Sequence, residues 1–384
     1  MKIRMTLPLL VTFALLTAAF STGSPVFLTP AVLILLLCAS SVLGVWRASR
    51  TLEVDSGLNG HVVQRGEDVT LTISVSWRGL IPIAPLQVEV AAGPDQLEQT
   101  LRLEESDGRS RRLTLDFHAA HVGVTSPSVK AVIISDLLGM VSCRIRPKAV
   151  GGELIVLPLP FDVGALTYEA GESAAETMAR ASEDISSPSD VRTYQQGDAM
   201  KKIHWKLSMR KQELMVRRFE EPVRPDALVL LDCSAPPRQY DETAELDVRD
   251  ALLETAASVM QQNACTDHPA KLPLQGEHPI ELDKGMGMPM ILEALARVDF
   301  SASDRFERVL LLEMRRMRKV GCTVVISARL NSRMVDVMVA MRRMGPYVRL
   351  YLVTFTPGDE TLLAMITKLQ SAGVEVCYVT PVAK

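Results

Sequence analysis

The sequence predicts a multi-domain chain: an N-terminal transmembrane helical hairpin, a β-sandwich-like domain, and an α/β open-sheet domain. Three observations predict it. No Asp, Glu, Lys, Arg or His occurs from Met5 to Trp46. Apolar and polar residues alternate with period two in several short runs between residues 51 and 160. From about Asp226, continuous apolar runs alternate with stretches of helical periodicity.

The uncharged stretch is about twice the ~20 residues that one helix needs to cross a bilayer. Ser21-Thr22-Gly23-Ser24-Pro25 is turn chemistry and divides it into helices near Thr6–Phe20 and Val26–Trp46. Pro8 and Pro30 fall near the helix starts, where proline costs least. Trp46 ends the second helix, at the depth where an indole suits the membrane–water interface. Lys2 and Arg4 precede the hairpin, Arg47 and Arg50 follow it, and the connection is neutral. Cationic flanks stay on the cytoplasmic side, so everything after Arg50 is expected there. A second reading takes Lys2 and Arg4 as the n-region and Leu7–Phe20 as the h-region of a cleaved signal peptide. The second apolar run argues against it, because a signal peptide needs no partner helix. The hairpin reading makes the chain a multi-pass protein of the cell membrane, with the lipid bilayer as its first partner.

The domain from 51 to 160 rests on alternation. Val69–Trp77, Leu86–Val90 and Leu113–Phe117 each place apolar residues on one face of a strand. Turn residues separate them at Arg65-Gly66-Glu67-Asp68, Gly93-Pro94-Asp95 and Asp107-Gly108. Short strands at that spacing suggest an antiparallel sandwich. It gathers no His, Cys or carboxylate cluster of the kind a catalytic site needs, so it reads as a spacer or docking module.

The domain from 226 to 384 rests on the change of rhythm. Ala227–Leu231 and Cys322–Ser327 are apolar throughout, as strands buried on both faces are. Val248–Gln262, Val335–Met344 and Thr361–Ser371 have helical spacing, the last ended by Gly373. Val348–Phe355 and Val374–Val379 complete the strands. Such alternation gives an open parallel sheet covered on both faces. Thr266–Met290 is weakly patterned and predicts a loop or an irregular strand pair. Ligands of such sheets bind beyond the carboxyl ends of the strands. There, Asp232 and Ser234 are hard oxygen groups suited to Mg²⁺.

Composition excludes some functions. With 42 Lys and Arg against 45 Asp and Glu, the net charge is −3, so the basic field of a nucleic-acid binder is missing. Aromatic residues make up 5% of the chain, too few for base-stacking platforms. No nucleic-acid partner is expected. The six cysteines are scattered without C-x-x-C spacing, which reads as buried reduced thiols rather than a zinc site or a disulfide framework.

Residues 161–225 form a linker and carry the most distinctive stretch. Its pattern is Arg192-x-Tyr194-x-x-Gly197-Asp198, then Ile203-His204-Trp205-Lys206-x-Ser208-x-Arg210, then Leu214-x-Val216. Asp198 is a suitable helix N-cap. Met200, Ile203, His204 and Leu207 then share one helix face, and Leu214–Phe219 alternates as a strand. His204 and Trp205 are expected to fill the join between helix and sheet. Lys201, Lys202, Lys206, Arg210, Lys211, Arg217 and Arg218 form a basic cluster. It suits anionic headgroups, an acidic partner surface or plain solvation, partly offset by Glu213, Glu220 and Glu221. Asp198, His204 and Ser208 also permit a hydrolase reading. A nucleophile normally sits on a strained elbow beside an oxyanion hole, which a mid-helix Ser208 lacks. Arg315–Lys319 and Arg342-Arg343 fall near helix ends, where positive charge complements the dipole.

This gapped motif resembles the domain of unknown function 58 family, and Asp136-Leu137-Leu138-Gly139 is similar to the family's Asp-x-x-Gly turn. The resemblance covers nearly the whole chain: membrane hairpin, β domain, motif, and a von Willebrand factor A-like domain. It implies no catalytic activity. It implies an adaptor or assembly role beside MoxR-type AAA+ ATPases and transglutaminase-like membrane proteins. It also makes the motif residues Arg192, Tyr194, Gly197, Asp198, His204, Trp205, Lys206, Ser208 and Arg210 the candidate docking site. Related A domains hold a metal ion on Asp-x-Ser-x-Ser. Asp232 and Ser234 match that pattern, but Pro236 replaces the third residue, and Ala328-Arg329 follows Ser327 where an Asp is wanted. Two ligands and a nearby Arg make a poor Mg²⁺ site, so no cofactor is expected.

Overall fold

The structure is a computed structural model that describes residues 2–3, 5–78, 86–92, 97–103, 110–147, 152–168, 190–195, 200, 203–218, 226–235, 241–274, 280–282, 287–300, 305–314 and 320–382. It divides into two compact units, Met1–Leu157 and Pro158–Ala383.

Unit 1 opens with β1 (Lys2–Ile3), α1 (Thr6–Thr22) and α2 (Pro25–Arg50). Gly23 at φ +59° closes α1, and Pro25 starts α2 at the position where its missing N–H costs nothing. Of the two, α2 is long and apolar enough to cross a membrane, while α1, at 17 residues, is shorter. Several hydroxyls of both helices are satisfied locally. Thr12 donates to the Pro8 carbonyl at 2.7 Å and Thr22 to that of Ala18 at 2.6 Å. Pro30 cannot donate to the Val26 carbonyl; the Thr29 hydroxyl does so at 3.3 Å. Self-satisfied backbone is what an apolar medium demands.

The strands of unit 1 are β2 (Glu53–Leu58), β3 (Val62–Gln64), β4 (Asp68–Ser76), β5 (Leu86–Ala92), β6 (Leu97–Leu103), β7 (Ser110–His118), β8 (Gly123–Thr125), β9 (Ser128–Ser135), β10 (Val141–Ile145) and β11 (Leu154–Leu157). They form three sheets, ordered β1-β10-β9-β5-β6, β2-β4-β7 and β3-β11-β8. The period-two pattern sets the register: Val69, Leu71, Ile73 and Val75 of β4 are fully buried, and Leu71 opposes Leu115 of β7. Leu86 and Val88 of β5, Ile134 of β9 and Val141 of β10 share one core with Leu71 and Ile73. Val45 and Ala48, near the end of α2, belong to the same core.

Unit 2 begins with β12 (Asp190–Thr193), α3 (Trp205–Lys211) and β13 (Met215–Arg218). It continues with β14 (Asp226–Leu231), α4 (Glu242–Cys265), β15 (Ala270–Leu272), β16 (Ile280–Glu281), α5 (Met288–Ala296), α6 (Phe306–Met314), β17 (Val320–Ser327), α7 (Ser332–Arg343), β18 (Tyr347–Val353), α8 (Glu360–Ser371) and β19 (Glu375–Val379). One six-stranded sheet has the order β16-β15-β14-β17-β18-β19. Its strands are parallel except β16, which pairs antiparallel with β15. The weakly patterned stretch thus contributes a short antiparallel edge, and the sheet is mixed rather than wholly parallel. Every residue of β17 is buried, so both its faces are covered. Leu228, Leu230, Val325 and Leu350 pack with Met334, Met338 and Met341 of α7 and Ile366 and Leu369 of α8. Helices α5 and α6 were not among the predicted elements; each is only nine residues long.

Residues 161–168, read from sequence as linker, are tied into unit 2. The Phe161 N–H donates to the Ser258 hydroxyl at 2.8 Å, and the Tyr168 hydroxyl to Asn263 at 2.6 Å. The Tyr168 ring stacks on His268 with centroids 3.8 Å apart.

Candidate functional site

The motif folds as a small module. Strands β12 and β13 pair antiparallel, Arg192 opposite Val216 and Thr193 opposite Met215. The Tyr194 N–H donates to the Leu214 carbonyl at 2.7 Å, and the His204 N–H to that of Met215 at 2.8 Å. Between the strands lies α3, which starts later than the spacing suggested. Ile203 makes a bridge to Val216 rather than a helical turn, so Met200, Ile203, His204 and Leu207 do not share a helix face. His204 is the N-cap: its Nδ1 accepts from the Leu207 N–H at 3.2 Å. Sheet pairing of Ile203 outweighs continuation of the helix. Gly197 and Asp198 lie outside the described residues, as do Lys201 and Lys202.

Ser208 is buried inside this module. Its hydroxyl donates to the His204 carbonyl at 3.0 Å and accepts from the Met215 N–H at 2.9 Å. Both bonds go to main chain, which binds α3 to β13. Gln212, at φ +55°, turns the chain from one to the other.

The outer surface of the module is apolar and open. Trp205 is 58% exposed and Met209 82% exposed. They stand four residues apart and therefore side by side on α3. Met200 and Leu214 are also exposed. Trp205 thus does not fill the join between helix and sheet. The join is filled by Ile203, Met215 and Val216. Lys206, Arg210 and Lys211 of the same helix are exposed, giving an aromatic and thioether patch with a cationic rim. Trp205, Lys206 and Arg210 stand at fixed positions of the motif, whereas Met209 occupies an x position, which conceals it in the sequence.

At the carboxyl end of β14, Asp232 is 2% exposed. Its Oδ1 accepts from the Ser234 N–H at 3.1 Å and from the Ser234 hydroxyl. Its Oδ2 accepts from the Ser327 hydroxyl at 2.7 Å and lies 3.3 Å from the Arg329 Nε. The Arg329 guanidinium also donates to the Ala235 carbonyl. The structure therefore brings Asp232 and Ser234 together and adds Ser327 and Arg329; Pro236 lies outside the described residues.

A second ionisable group surrounds Arg349 of β18. Its guanidinium bonds Glu375, the Tyr351 hydroxyl at 3.2 Å and the Ala165 carbonyl at 3.0 Å. Burial alone would lower its pKa, but Tyr351 and Glu375 together raise it. Burial pushes the Cys322 thiol up to about 12, with Arg349 opposing and Glu375 adding to the shift. Tyr168 rises to about 12, chiefly by burial. Tyr347, Tyr351 and Cys377 are raised, again by burial first.

Residues 190–349 match the family model described as protein of unknown function DUF58. No curated protein matches the chain. Among solved structures, the sporulation control protein Spo0M from Bacillus subtilis is 16% identical over 38% of this chain and 58% of its own, with a TM-score of 0.18. Cwp6 from Clostridium difficile is 11% identical over 86% of this chain and 53% of its own, with a TM-score of 0.21. The chain thus spans little more than half the length of either, and scores this low carry no argument.

Proposed function

We propose that this chain, whose residues 190–349 match the DUF58 family model, is a non-enzymatic, membrane-anchored adaptor of that family that docks a MoxR-type AAA+ ATPase. The observation that carries this reading is the Trp205–Met209 pair, exposed side by side on α3. Indole and thioether side chains concentrate binding energy at interfaces. The rim of Lys206, Arg210 and Lys211 favours an acidic counter-surface.

The anchor is the α1–α2 hairpin, crossing the cell membrane twice with both ends in the cytoplasm. The length and composition of α2 support this. A transglutaminase-like membrane protein is the second partner in this reading. In this reading the sheets of unit 1 form a β-sandwich-like domain, and the six-stranded sheet of unit 2 forms a von Willebrand factor A-like domain. Its strand end takes no metal: Asp232 has both oxygens committed to Ser234 and Ser327, and Arg329 supplies the positive charge. The hydrolase reading is less well supported, because the Ser208 hydroxyl serves the main chain.

The test is purification of the tagged full-length chain from detergent-solubilised membranes, with partners identified by mass spectrometry. Recovery of a MoxR-type ATPase supports the adaptor; its absence under conditions that retain the chain intact contradicts it. A reporter fused after Lys384 tests the orientation, and activity only outside the cytoplasm would overturn it.

A further inference from the structure

The turn joining β9 to β10 is Asp136-Leu137-Leu138-Gly139. The Gly139 N–H donates to the Asp136 carbonyl at 3.1 Å, with Gly139 at φ +71°, a conformation open to glycine. Asp136 is buried; it accepts the Val141 N–H at 2.8 Å and the hydroxyl of Ser41 from the second half of α2. At the tip, Leu137 and Leu138 are 62% and 59% exposed. They are adjacent, large and apolar, and no core covers them.

Helices α1 and α2 pack together and are joined only by Gly23 and Ser24. Counting back from that connection, α1 ends at Thr6, and an equal length of α2 ends at Ser41. Ser41 is therefore level with the first residue of α1. Each stretch rises about 25 Å, close to the thickness of a hydrocarbon core. Beyond Ser41, α2 changes character. Val45 and Ala48 enter the core of unit 1, while Trp46, Arg47 and Arg50 are exposed, with the Arg50 guanidinium 5.8 Å from the Trp46 ring. An indole with cations beside it suits the headgroup layer. A second tie holds the same level: Ile3, just before α1, pairs with Val141, just after the turn.

We propose that Leu137 and Leu138 make a third membrane contact, entering the boundary between acyl chains and headgroups beside α2. Asp136 is the positioning residue that fastens the tip to Ser41. This rests on the hairpin reading above. It adds that the β-rich part of unit 1 is seated on the lipid rather than suspended from α2. Burying exposed leucines in the acyl boundary is favourable, and Arg47 and Arg50 meet anionic headgroups on the same side.

The experiment places p-benzoylphenylalanine in turn at Leu36, Leu138 and Val124 of the full-length chain. Each protein is reconstituted in vesicles of phosphatidylcholine and phosphatidylglycerol, irradiated, and read by intact mass. Leu36 lies within α2, and Val124 is an exposed residue of β8. Lipid adducts are expected at Leu36 and Leu138 and not at Val124. Adduct at Leu36 without Leu138 overturns the third contact and leaves the hairpin standing. No adduct at Leu36 overturns the hairpin and this inference with it. Adduct at all three sites also overturns it, since the capture would then be unselective. Asp136→Ala is expected to cut the yield at Leu138 severalfold while leaving that at Leu36 unchanged; an unchanged yield at Leu138 would remove the positioning role.

Discussion

The Nε of Arg329 stands 3.3 Å from Oδ2 of Asp232 at the carboxyl end of β14. That distance puts a fixed positive charge beside a buried carboxylate. Arg329→Ala leaves Asp232 buried with hydroxyl and amide donors but no counter-charge. The expected loss is about 1–3 kcal/mol of stability by urea denaturation, at the lower end because Arg329 is 37% exposed. Calorimetric titration of the unmodified chain with Mg²⁺ should give no saturable heat. A saturable isotherm abolished by Asp232→Ala would contradict this account of the site.

Ser208→Ala tests whether the motif serine is structural. The change leaves the Met215 N–H, which is buried, without the acceptor that Ser208 provides. A cost of about 1–3 kcal/mol is expected from the orphaned donor. A serine-directed fluorophosphonate should leave Ser208 unlabelled in the folded chain. Stoichiometric labelling there would favour the hydrolase.

The sequence and the structure agree most where a pattern repeats. Alternation at Val69, Leu71, Ile73 and Val75 specifies one buried face. The apolar runs that became β14 and β17 are legible because only a strand covered on both faces tolerates them. Helices α5 and α6 were not legible, because nine residues make only two or three turns and little periodicity. The start of α3 was misplaced for a different reason: Ile203 fits a helix locally, and its bridge to Val216 is a contact across 13 residues of chain. Trp205 is expected at the join between helix and sheet, but its exposure depends on what the rest of unit 2 leaves uncovered. Arg329 was visible two residues past Ser327, while its approach to Asp232 depends on β14 and β17 lying side by side.

Alkaline pH should destabilise unit 2. Cys322 rises from 9.0 to about 12 and Tyr168 from 10.0 to about 12, and Tyr347, Tyr351 and Cys377 are also raised. Each is an acid held neutral in the folded state. The unfolded chain therefore releases these protons first, and stability falls as pH rises above about 9 towards 12. The midpoint of urea unfolding, followed from pH 8 to 11, should decline; a flat profile would contradict the burial of these groups. Over the same range, Cys322→Ser should weaken the decline above pH 9.

The free cysteines offer an independent check. Iodoacetamide at pH 8 should modify Cys265, which is exposed, and spare Cys322 and Cys233, which are buried. Rapid modification of Cys322 in the native chain would contradict its enclosure in β17.

In the proposed function, α3 presents a docking face for an AAA+ ATPase. The most direct test is co-purification of a MoxR-type ATPase with the full-length chain and with the double variant Trp205→Ser, Met209→Ser. Both residues are exposed, so unfolding midpoints should agree to within about 0.5 kcal/mol. The ATPase should accompany the unmodified chain and be lost from the variant. Equal recovery with both chains would contradict it.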